Sequence, residues 1–121
     1  FDTGKKAEEQ EEPERFYHGF VLGLMVDLAD KYRITSNRES GLGRYDIMME
    51  PLEKNKRAYV IEFKVHKAKR EKDLEETAQN ALQQIAERNY DAELMARGIR
   101  KENIRHLGFA FWGKKVLIEQ E

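Results

Sequence analysis

The chain has no cysteine. Disulfides and thiolate metal sites are therefore excluded, and a reducing compartment, the cytoplasm, is the expected home. No apolar run is long enough to span a bilayer, and the N-terminal segment lacks the apolar core of a signal peptide. A dominant charge is missing too: 22 basic residues stand against 23 acidic ones, for a formal net charge of -1. A polyanion would feel no global attraction, so any such partner must be met by a local basic patch. Gly41-Leu42-Gly43 is not a nucleotide loop, because a strand pattern follows it where dinucleotide and phosphate loops need a helix. Gly4-Lys5-Lys6 likewise lacks the rest of a Walker motif. The three histidines, His18, His66 and His106, are nowhere paired at metal-ligand spacing. His18 reads as a partly buried residue on an aromatic helix face, and the other two read as surface residues.

What remains is a chain of 121 residues, enough for one domain with a modest core. A hydrophobic share of 40% against 37% charged residues suits a globular protein with a heavily solvated surface. Residues 1–12 (FDTGKKAEEQEE) have no apolar face and read as a flexible acidic tail or linker, leaving 13–121 as the domain. The chain does not begin with methionine, which suggests a piece of a longer protein. Pro13 suits the first turn of a helix, and Phe16, Phe20, Leu24 and Leu28 continue it at helical spacing to about Lys31. Strands are expected over 32–37, 45–50 and 58–65, with Pro51 and Glu53-Lys54-Asn55-Lys56 as the hairpin connection between the last two. Leu74, Ala78, Ala81, Leu82, Ile85 and Asn89 mark one face of a second long helix. A further helical turn or two over 91–97 closes on Gly98. Strands follow over 104–112 and 115–118, with Leu107, Phe109 and Phe111 as core residues. The order α-β-β-β-α-β, with an appended strand, implies an α/β fold built on a mixed sheet flanked by helices.

The third strand poses a chemical question. In Val60-Ile61-Glu62-Phe63-Lys64-Val65, side chains alternate, so Glu62 and Lys64 share a face with Ala58 and Val60. Tyr59, Ile61, Phe63 and Val65 make an unbroken apolar opposite face, as expected for a central strand. A charge buried in such a strand must be paired or must coordinate something. Asp46 shares a face of the preceding strand with Met48 and Glu50, so hairpin pairing can bring it near Glu62 and Lys64. Two carboxylates and an ammonium fit magnesium or manganese bound beside a phosphate: hard oxygen donors hold the ion, and a lysine offers a point charge. The set therefore points to metal-assisted phosphodiester hydrolysis.

These residues carry a resemblance. Asp46 followed by Glu62-Phe63-Lys64, within the α-β-β-β-α-β order, resembles the PD-(D/E)XK nuclease superfamily and its restriction-endonuclease-like core. Phe16-Tyr17-His18-Gly19, Ser36-Asn37-Arg38-Glu39-Ser40-Gly41, Gly43-Arg44-Tyr45-Asp46, Gly108-Phe109-Ala110-Phe111 and Gly113-Lys114 look like one branch of it. That branch is found C-terminal to predicted AAA-ATPase-like regions, so an ATPase region of the same parent protein is an implied partner. The likeness covers residues 13 to 118. It implies Asp46 and Glu62 as carboxylates binding Mg2+ or Mn2+, the Phe63 backbone carbonyl as a further ligand, and Lys64 as the catalytic lysine. It also implies Glu14 as an accessory acidic position and matches Gln84, with Tyr90, to a glutamine–tyrosine feature of exonuclease-like members, at wider spacing. Tyr45 stands where the family often has proline.

Lys67, Lys69, Arg70 and Lys72 follow the third strand directly, with only Glu71 against them. They are the expected nucleic-acid contacts, for DNA rather than RNA, through salt-sensitive phosphate binding. Two other readings stand beside the nuclease: a catalytically silent module of the same fold that binds nucleic acid or protein beside an ATPase, and an interaction domain whose charged strand residues form a structural ion pair.

Overall fold

Alternating apolar residues and turn signals resolve into a five-stranded sheet. In the computed structural model, which describes residues 19–38 and 44–121, β1 spans Tyr32–Arg38, β2 Arg44–Pro51, β3 Ala58–Val65, β4 Ile104–Trp112 and β5 Lys115–Gln120. The acidic tail, Glu14, His18 and Gly41-Leu42-Gly43 lie outside the described residues. Spatial order follows chain order, β1-β2-β3-β4-β5, with β3 at the centre. The β1–β2, β2–β3 and β4–β5 pairs are antiparallel and β3–β4 is parallel, which makes the sheet mixed as expected. A parallel neighbour requires a crossover. Here it runs through α2 (Leu74–Arg88) and α3 (Tyr90–Ala96), while α1 covers residues 19–28 of the described chain.

Period-two alternation divides the core into two layers. On one face Ile47, Met49, Ile61, Phe63, Phe109 and Phe111 pack with Val21, Phe20, Leu24 and Leu28 of α1. On the other, Met48, Ala58 and Val60 pack with Leu82 and Ile85 of α2 and Leu94 of α3. Among the described residues no helix is long and apolar enough to cross a membrane.

Two local features set how α2 lies on the sheet. Its start is capped by Asp73, whose carboxylate accepts the Glu76 N–H at 2.9 Å, while Glu76 accepts the Lys72 N–H at 2.8 Å. Its end is Asn89, in the left-handed region at φ 55°, which breaks the helix so that α3 begins at once with Tyr90. Against the sheet, a Cβ on Gly108 of β4 would lie 2.6 Å from the Ala78 carbonyl oxygen. Glycine at this position lets the helix backbone approach β4 directly beside Glu62, its register partner on β3.

Candidate active site

Strand register brings the two candidate carboxylates together. Asp46 of β2 is the direct partner of Glu62 of β3, so both side chains emerge on the α2 face. Lys64, two residues on, shares that face. Asp46 is 2% exposed and Glu62 is fully buried, both among the largest completely buried side chains. The expected hairpin pairing and the expected central position of β3 are thus both present. The Phe63 side chain packs in the α1 layer, so only its backbone lies beside the carboxylates.

Helix α2 supplies a line of polar groups along this face. Asn80, Gln84 and Arg88 recur at four-residue spacing, beside the apolar stripe of Ala78, Ala81, Leu82 and Ile85. Arg88 donates to Asp46 Oδ2 at 2.5 Å, and the Tyr90 hydroxyl donates to the same oxygen at 2.9 Å. Asn80 donates to Glu71 Oε2 at 3.0 Å. Gln84, half-buried, stands between these two contacts on the helix and makes no side-chain hydrogen bond among the described residues.

Lys64 does not pair with Glu62. Its ammonium contacts Glu71 Oε2 at 3.2 Å. Glu71 therefore is not merely the odd charge in a basic run but a buried carboxylate. Burial pushes its pKa up, yet the Lys67 N–H, Asn80, Thr77 and Lys64 together outweigh that and hold it at about 2. His66, expected at the surface, is buried instead. Its main-chain N–H donates to the Phe111 carbonyl at 2.7 Å, and its ring packs on Trp112 with centroids 4.1 Å apart. His106, the other expected surface histidine, is half-buried, with Nε2 2.7 Å from Asp91 Oδ1.

The basic residues Lys67, Lys69, Arg70 and Lys72 are exposed in the connection ahead of α2, next to Lys64 along the chain. A shallow pocket of about 360 Å3 is lined by Lys67, Ala68, Lys69 and Arg70. A larger one of about 850 Å3, lined by Tyr32, Tyr59, Lys31, Lys56 and Arg57 among others, includes neither carboxylate. It sits at the other end of the sheet and has no part in this site.

The structure thus unites Asp46, Glu62 and Lys64, sets Gln84 on the helix that covers them, and leaves Glu14 outside the described residues. Sequence reasoning missed Arg88, Glu71, Thr77 and Asn80. A signal existed for three of them: Asn80 and Arg88 flank the apolar stripe of α2 at four-residue intervals through Gln84, and Glu71 is the lone acid in a run of bases. Among the described residues no group of three or more His, Cys, Asp or Glu converges as a metal site. Two buried carboxylates facing each other nonetheless fit magnesium or manganese, which takes one or two carboxylates together with water and substrate oxygens.

A family model for the PD-(D/E)XK nuclease superfamily matches residues 12–121. No curated protein and no solved structure matches the chain.

Proposed function

The chain belongs to the PD-(D/E)XK nuclease superfamily, and from that premise we propose that it is a divalent-metal-dependent phosphodiesterase acting on DNA. The observation that carries this reading is the facing pair Asp46 and Glu62, buried on the same side of the central strands as Lys64. Such a cost in buried charge is repaid when a cation sits between the carboxylates. Magnesium or manganese bound there would acidify the attacking water and neutralise charge on the phosphate.

The chain's own residues do the rest. Asp46 and Glu62 offer oxygen donors, with the Phe63 carbonyl beside them. Arg88 and Tyr90 fix the orientation of Asp46 through its Oδ2. Lys64 presents a compact positive charge to the attacked phosphate, and Gln84 offers an amide from the covering helix. Lys67, Lys69, Arg70 and Lys72 grip the substrate backbone without reading bases. Glu14 would add an acidic group from the start of the domain, after a tail over residues 1–12. An ATPase-like region of the same parent protein, in the cytoplasm, is the partner that fits this reading.

The test is Mg2+- or Mn2+-dependent cleavage of plasmid DNA, single-stranded DNA and RNA, repeated with Asp46→Ala and Lys64→Ala. Wild-type cleavage abolished by Asp46→Ala, and lowered about 100-fold or more by Lys64→Ala, is the expected result. Cleavage that survives both substitutions would sink the mechanism.

One observation favours a second reading, a silent binding module. Asp46 is already paired with Arg88, and Lys64 with Glu71, so both ions are satisfied without a ligand. Calorimetric titration with Mn2+ discriminates: a module of this kind takes up no ion, whereas the nuclease binds one and loses it with Glu62→Ala.

A further inference from the structure

The short connection between β3 and α2 holds one acid among its bases, and burial sorts them. Glu71 is 6% exposed, whereas Lys67, Lys69, Arg70 and Lys72 face solvent. Four donors meet on its carboxylate. The Lys67 N–H at 2.8 Å and the Thr77 hydroxyl at 2.9 Å donate to Oε1. The Asn80 amide at 3.0 Å and the Lys64 ammonium at 3.2 Å donate to Oε2. The turn itself is closed by the Arg70 and Glu71 N–H groups, both donating to the Lys67 carbonyl, at 2.9 and 2.8 Å.

A second layer holds the first. Thr77 has a single hydroxyl hydrogen, and the ionised Glu71 carboxylate, which can only accept, takes it at 2.9 Å, the Asp73 carbonyl lying farther off at 3.3 Å. The 2.7 Å contact between Thr77 Oγ1 and His66 Nδ1 therefore runs from the imidazole N–H to the threonine oxygen. Trp112 packs on the face of that imidazole. Backbone, threonine, asparagine and a clamped histidine thus fix the carboxylate independently of Lys64.

Of the four donors, only Lys64 is a long side chain with a freely rotating head. A lysine near a sheet end normally carries its ammonium out to water. Here its side chain is only 13% exposed, and the head group is tied to the anchored carboxylate. One of its three N–H donors serves Glu71, and two remain for a phosphate.

We propose that Glu71 is the positioning residue of Lys64: its carboxylate, fixed by α2 and by the basic turn, holds the ammonium where the substrate phosphate is attacked. What Lys64 does there rests on the nuclease reading; that Glu71 holds it does not. The same contact ties the catalytic lysine to the Lys67–Lys72 turn. Phosphate grip and catalytic charge therefore share one reference point. An anchor of this kind matters because a misplacement of about 1 Å can cost on the order of 100-fold in rate.

The test uses lysine-selective NMR of the Nζ and Cε groups in the whole chain, with Lys64→Arg to assign the signal. In the wild type the Lys64 ammonium is expected to be more ordered, and slower to exchange with water, than those of Lys67 and Lys69. Glu71→Gln is expected to abolish that order, whereas Thr77→Val, which loosens the same network at the other oxygen, keeps it. In cleavage assays Glu71→Gln is expected to lower kcat by about 10- to 100-fold, with KM and Mn2+ affinity held within about twofold. A wild-type Lys64 ammonium as mobile as that of Lys69 overturns the proposal, and that measurement decides even if the variant does not fold. So does a Glu71→Gln chain whose Lys64 is as ordered as in the wild type. Absence of cleavage by the wild type would fail the nuclease reading alone, since the ordering of Lys64 is read without substrate.

Discussion

The Arg88 guanidinium lies 2.5 Å from Asp46 Oδ2, and it reaches that oxygen from the last turn of the helix covering the sheet. Asp46 is 2% exposed, so this cation is its principal charge compensation among the described residues. A divalent ion placed between Asp46 and Glu62 would do the same work. Arg88 and such an ion would therefore compete for one carboxylate, or share it.

Arg88→Ala tests that relationship. Without its partner, Asp46 is a buried charge left under-compensated, and the metal-free chain is expected to lose about 1–3 kcal/mol of stability. Mn2+ should restore much of it, because binding to the folded state stabilises by mass action. Thermal melts with and without Mn2+ check this: the rise in Tm on adding the ion should be larger for Arg88→Ala than for the wild type.

Glu71 predicts an acid limb in stability. Its folded-state pKa of about 2 lies below the ordinary value of 4.5. The charged form is thus favoured by folding, and the contribution is complete above about pH 4.5 and lost as pH falls toward 2. The full shift corresponds to on the order of 3 kcal/mol. Urea melts of wild type and Glu71→Gln between neutral pH and pH 2.5 should converge as the pH falls, the wild type losing its advantage across that window.

Gly108→Ala probes the seat of the helix. The new methyl would meet the Ala78 carbonyl at 2.6 Å, with the Leu82 and Ala81 side chains at 3.1 and 3.3 Å. Backbone cannot swing aside as a side chain can, so α2 must lift, at a cost of about 1–3 kcal/mol or more. Lifting α2 also moves Arg88 and Asn80 away from their carboxylates. Chemical denaturation should show the loss of stability, and calorimetry an altered Mn2+ affinity.

The basic turn predicts a salt signature. Substituting Lys67, Lys69 or Arg70 with alanine should weaken DNA binding regardless of sequence and lower the slope of log K against log salt by about 1 each. Lys101, exposed beside the start of β4 at the other end of the sheet, should leave the slope unchanged when replaced. Fluorescence anisotropy at several salt concentrations measures both.

The architecture was largely legible in the sequence because its signals are local. Strand alternation, the α2 apolar stripe and the glycine after α3 each act over a few residues, and the elements lie close to their expected bounds. Glu62 and Lys64 stood out for the same reason: charges in a strand apolar on its other face violate a local pattern. The pairing of Asp46 with Glu62 was only half legible. Alternation gave each residue its face within its own strand, but the register that sets Asp46 opposite Glu62 could not be read, and a slip of one residue would have put them on opposite faces.

His66 and Glu71 show where local reading stops. Both follow a strand in a polar, basic stretch, which by itself means surface. What buries them comes from elsewhere in the chain: Trp112 from β4 packs on the imidazole, and Thr77 and Asn80 from α2 bond the carboxylate.

By itself, then, the sequence determined the elements, their alternating faces and the misplaced charges of β3, Glu62 and Lys64, since these follow from residue type and short-range period. Only the tertiary structure decided which charge meets which. Arg88 and Tyr90 reach Asp46 across 42 and 44 residues of chain. That meeting depends on how closely α2 docks at Gly108 and where the left-handed Asn89 turns the chain. Such contacts are set by the docking of whole elements, which no local period encodes.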